Sequence, residues 1–156
     1  MNTSTFDEKR YIILFVRLAI GIAFLSAVFD RVGLWGNPGD INVAWGSFKL
    51  FEDYVAYLNP FLSIALVTIV AYFVTVLEVV LGIMLILGFR LKLVALLSAT
   101  LLLIFALSMT VIMGIKAPLD YSVFSVSAAS FLLYLFIKEK EKADELWNAK
   151  EKALNV

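Results

Sequence analysis

The chain has 156 residues, is 62% hydrophobic and carries no formal net charge. Soluble domains are about 45–50% apolar, so this excess and a mean hydropathy of +0.94 point to a membrane protein. The charge balance excludes a basic footprint for nucleic acid, and the absence of Cys and His excludes thiol redox and ordinary zinc sites.

Haem ligation would have only methionine to draw on, so neither haem nor metal is expected. At the N-terminus, Thr5 stands three residues before Glu8, a capping-box pattern. A first transmembrane helix is predicted over 11–29, interrupted by Arg17. It follows Lys9 and Arg10 as a signal peptide would. However, its apolar run exceeds the usual h-region, and Phe29-Asp30-Arg31 is a poor cleavage site.

The first loop is long. GLWGNPGD is dense in turn formers. An amphipathic helix is predicted over 42–58, with Phe48, Phe51, Val55 and Leu58 on one face and Lys49, Glu52 and Asp53 off it. Trp45, Tyr54 and Tyr57 favour a helix lying on the outer membrane surface. The alternative is a segment packed across the top of the bundle. The second span is predicted over 61–89 and contains Glu78. Gly88-Phe89-Arg90 makes a tight turn into a third span, 91–115. Gly114 is the expected stop, and Pro118 the expected first-turn residue of a fourth span, 119–137. The Lys-, Glu- and Ala-rich tail 138–156 should continue as helix.

Lysine and arginine placement orients the chain. Lys9, Arg10, Arg90, Lys92 and the tail lysines fall on one side, against Arg31, Lys49 and Lys116 on the other. The expected architecture is therefore all-α. It is an antiparallel four-transmembrane-helix bundle forming one domain over 1–156, multi-pass, with both termini cytoplasmic.

An unpaired charge inside the bilayer costs at least about 2.5–3.5 kcal/mol. Arg17 should lie about 9 Å deep and Glu78 about 16 Å deep from the same side, close enough to predict a buried Arg17–Glu78 pair. Ala71, Thr75, Glu78 and Gly82 share one stripe, and small residues let helices approach. Ala19, Ala23 and Ala27 with Gly21 on the first helix, and Ser125 with Ala129 on the last, suggest further close contacts. The pair reads either as an interhelical lock or as the floor of a polar pocket. A second cluster is expected at the outer rim: Asp30, Arg31, Lys116, Asp120 and Tyr121. No phosphate loop, Ser–His pair or dinucleotide fingerprint is present, and no catalytic residue stands out.

Three stretches resemble the DoxX-like family of small four-helix membrane proteins: RLAIGIAFLSAVFDR at 17–31, LEVVLGIMLILGFRLKLVALL at 77–97 and GIKAPLDYSVFSVSAASFLL at 114–133. Arg17 and Gly21 match the family's R-L-x-x-G start. Glu78, Gly82 and Gly88 match its E-x-x-x-G-x-x-L-x-x-G pattern. Where members often have Gly and then Lys at the outer end of the first helix, this chain has Val28 and Arg31. The resemblance implies an inner (plasma) membrane location and an accessory, non-catalytic role in a membrane system linked to redox or oxidative stress. It also implies a quinone or lipid-like ligand between helices. Two other readings stay open: a small transporter or proton conductor using Glu78, and a structural subunit of a larger membrane complex. The bilayer is the first partner, and a membrane-protein partner or homo-oligomer the next.

Overall fold

The computed structural model describes residues 3–154, with side chains from residue 8 onward. Among these residues all regular structure is helical: α1 (Thr3–Arg31), α2 (Phe48–Leu58), α3 (Ile64–Leu87), α4 (Leu91–Met113), α5 (Lys116–Asp120) and α6 (Val123–Leu154). Three of them contain stretches long and apolar enough to cross a membrane: Glu8–Arg31 within α1, all of α3 and all of α4. The Thr5 side chain of the capping-box pattern lies outside the described residues, as do the last two residues of the predicted tail.

The helix ends follow local chemistry. Gly88 adopts φ 79°, ψ 24° after α3. Its N–H bonds to Leu85 O, and the Phe89 N–H to Met84 O at 3.0 Å. This is a Schellman end, which needs the left-handed conformation glycine tolerates best. Gly33 closes α1 the same way, with Gly33 N–H to Asp30 O and Leu34 N–H to Phe29 O. Ser47 and Ser63 cap α2 and α3, each accepting from the N–H three residues on. The amphipathic helix starts at Phe48 rather than at 42, because Asn42 and Gly46 both have positive φ. Pro118 does not open the last helix. It sits in the separate short α5, and Ser122 at φ 56° breaks the chain before α6 begins. From Val123 onward, the predicted span 119–137 and the tail 138–156 form one continuous helix as far as Leu154.

α1 packs along α3, and α4 along α6. Both pairs are antiparallel, since Arg17 meets Leu85 while Arg31 meets Thr75, and Ala99 meets Ser127 while Lys92 meets Glu141. α1 and α3 cross at Gly21 and Gly82. A Cβ on Gly21 would sit 2.8 Å from Gly82 O, and one on Gly82 would sit 3.0 Å from Gly21 O. The backbones touch there, as small residues at membrane helix interfaces allow. The alanine stripe expected on α1 is not the contact face. Ala19 and Ala23 are exposed, and Ile20, Gly21, Phe24 and Val28 are buried instead. Between α4 and α6 the buried small residues are Ala95, Ser98 and Ala99 against Ser127 and Ser130. Ser125 is exposed, so the expected Ser125–Ala129 contact is shifted round the helix.

α2 lies across α3 and also touches α4 and α1. Its apolar face, Phe51, Val55 and Leu58, is buried against protein. The amphipathic helix is thus a cap packed on the other helices, and its apolar face does not rest on lipid.

An enclosed ion pair beneath an aromatic cap

Glu78 is buried near the middle of α3 at 2% exposure, and its cationic partner is Arg31, equally buried. Arg31 Nη1 also donates to Thr75 Oγ1 at 3.0 Å. Thr75 in turn donates to Ala71 O, 2.8 Å away on its own helix. Above the guanidinium lie two aromatic faces. The Phe51 ring centroid is 3.7 Å from Arg31 Cζ and that of Trp45 is 5.3 Å. The two rings meet edge-on at 5.3 Å. A desolvated cation–π contact contributes about 2 kcal/mol, so Arg31 binds α2 and its loop as well as α3. Its Nε is buried and has no hydrogen-bond partner among the described residues.

Asp30, the preceding residue, fixes the same loop from the other side. Its carboxylate accepts from three successive backbone amides: Ala44 at 2.8 Å, Trp45 at 3.4 Å and Gly46 at 3.1 Å. Such concave runs of N–H groups bind anions. Trp35 Nε1 donates to Ser26 O at 3.0 Å, tying the start of the loop back to α1. The last turn of α1 therefore holds the whole cap.

The expected Arg17–Glu78 pair does not form. Arg17 Nε donates to Leu85 O at 3.0 Å and Nη2 to Ile86 O at 3.1 Å. These are carbonyls at the end of α3 that lack full helical partners, where a cation also complements the helix dipole. The reason lies in side-chain direction. Helical side chains lean toward the N-terminus of their helix. On α1 that carries Arg17 away from Glu78 and Arg31 toward it. Depth alone, without this lean, selects the wrong arginine.

The predicted rim cluster also divides. Asp30 and Arg31 are buried parts of the cap. Lys116 and Asp120 pair with each other one turn apart on α5, both exposed, and Tyr121 is exposed beside them. No hydrogen bond or ion pair joins the two halves among the described residues. Trp45, Phe51 and Thr75 complete the site without having been singled out for it. Their signal was present in the sequence, as Thr75 in the Glu78 stripe and Phe51 on the apolar face of the amphipathic helix.

The arrangement neutralises every charge it buries. It can hold helices and a cap in register, and it presents no free nucleophile or base. A family model described as DoxX matches residues 12–114, from the first spanning stretch through the cap to the end of α4. That stretch contains Arg17, Asp30, Arg31, Trp45, Glu78 and both crossing glycines. No match was found among curated proteins, and none among solved structures. With well over half of its length covered by that match, the chain belongs to the DoxX family.

Proposed function

We propose that this DoxX protein is a non-catalytic, accessory component of an inner-membrane system, in which the Arg31–Glu78 pair locks an aromatic cap as a fixed contact surface. The observation that carries this reading is the enclosure of the buried charges. Asp30 is taken up by three loop amides, and Arg31 by Glu78, Thr75 and two rings. Each buried charge is thus matched within the protein. Redox association is what the family resemblance suggests. Gentle solubilisation from native membranes should recover a companion protein at a fixed ratio. A lone, monodisperse protein would count against an accessory role.

One observation favours a second reading. The unpartnered Nε of Arg31 lies below two aromatic faces, and a carbonyl head group such as a quinone's would complete it once the cap moved. Organic extraction of the same preparation, followed by mass spectrometry, tests this. Near-stoichiometric quinone supports it, and bulk lipid alone removes it.

In this proposal the first half of α6, residues 123–137, is the fourth crossing and both termini face the cytoplasm. The antiparallel packing of α6 on α4 and the lysine distribution support this. The chain has no Cys, so single introduced thiols report topology cleanly. Lys150→Cys should label with a membrane-impermeant maleimide only in inside-out vesicles, and Gly39→Cys only in right-side-out ones. Labelling of both from one side would overturn the four-span arrangement.

A further inference from the structure

A second feature lies beside α2 and shares no lining residue with the ion pair. A groove of about 220 Å³ runs between α2 and the first turns of α3. Its α2 wall carries Lys49, Glu52 and Asp53, and its α3 wall carries Ile64, Val67 and Thr68. The two walls differ in kind. One is charged. The other opens a membrane-spanning helix, with Ile64 at 88% exposure. A polar wall facing an apolar one at the start of a span is the setting for an amphiphile, with its head at the interface and its tail along the helix.

The charges decide which head. Lys49 Nζ already bonds to Asp53 Oδ1 at 2.8 Å. Glu52, half-buried on the same wall, has no cation at ion-pair distance among the described residues. The groove therefore keeps one uncompensated carboxylate beside an apolar surface. The Lys49 ammonium is held above its usual range chiefly by its bond to Asp53, and Glu52 contributes least.

We propose that this groove binds one membrane phospholipid with an ammonium head group. The ammonium would pair with Glu52, and the acyl chain would lie along Leu62 and Ile64. This site is separate from the Arg31–Glu78 pair and does not depend on the accessory role.

The test is native mass spectrometry of the full chain released from nanodiscs of equimolar phosphatidylethanolamine and phosphatidylglycerol. One phosphatidylethanolamine should be retained in at least about tenfold preference, the selectivity expected from about 1.4 kcal/mol of head-group discrimination. Glu52→Gln should abolish the preference with no change in thermal unfolding, and Glu52→Lys should shift it toward phosphatidylglycerol. Glu139→Gln, on the distant α6 tail, should leave it intact. Equal retention of the two lipids by the unaltered chain, or a preference that survives Glu52→Gln, would overturn the site.

Discussion

Replacing Glu78 by glutamine is expected to cost the folded protein about 3–5 kcal/mol, the penalty typical of a buried ion pair broken on one side. The loss arises because Arg31 stays charged and 2% exposed while its counter-charge disappears. Arg31→Gln should cost a similar amount, since Glu78 is then the stranded group and the cation–π contacts to Phe51 and Trp45 are lost too. The double replacement should cost much less than the sum of the two. Reversible unfolding in mixed micelles measures all three. Arg17→Gln gives the contrast. It removes two bonds to carbonyls at the end of α3, should cost about 1–3 kcal/mol, and should add to Glu78→Gln without coupling. Strong coupling of Arg17 to Glu78, with none from Arg31, would refute the pairing described here.

The other large effect is expected at the α1–α3 crossing. Gly82→Leu places a branched side chain where even a Cβ would sit 3.0 Å from Gly21 O and 3.1 Å from the Leu25 side chain. Neither backbone can yield without moving its whole helix. A displaced helix would also draw Glu78, one turn away, out of reach of Arg31, so the destabilisation should exceed the usual overpacking cost of about 1–3 kcal/mol. Gly82→Ala and Gly21→Ala should fall within that range. Unfolding midpoints of the three variants check the order. A Gly82→Leu protein as stable as the original would mean that the two helices do not touch at these glycines.

The sequence carried three apolar spans and the glycine turn at 88 directly, because apolar runs and left-handed ends have short-range signatures. It carried the importance of Glu78 as well, since an acid in such a run must be answered. It did not carry which arginine answers it. Arg17 and Arg31 differ in the direction their side chains lean relative to an antiparallel partner, and that direction matters only once the register of α1 on α3 is known. The cap shows the same limit. The apolar face of α2 was legible from its periodicity, but periodicity does not distinguish a protein surface from a lipid surface. Phe51 and Val55 are buried because Arg31 and Asp30 draw the loop inward, a long-range contact that no local pattern encodes. The stripe of Ala71, Thr75, Glu78 and Gly82 was read correctly as a face, whereas Ala19 and Ala23 on α1 were outweighed by Gly21, the residue that permits backbone contact.

The position of Arg31 at the very end of α1 has a consequence for biogenesis. While α1 stands alone in the bilayer, an arginine at its terminus can extend its stem to the water interface at little cost. Glu78 has no such escape, being near the middle of α3. Its insertion cost of about 2.5–3.5 kcal/mol is offset by the leucines, isoleucines, valines and phenylalanines around it, each worth about 0.3–0.6 kcal/mol. Each helix can thus enter the membrane independently, and the two charges meet only when the helices associate, as in two-stage assembly. Until then α3 carries an unanswered acid that marks it as incomplete. Loss of Arg31 would leave translocation untouched and arrest the chain afterwards, as a correctly inserted but unassembled protein exposed to membrane quality control.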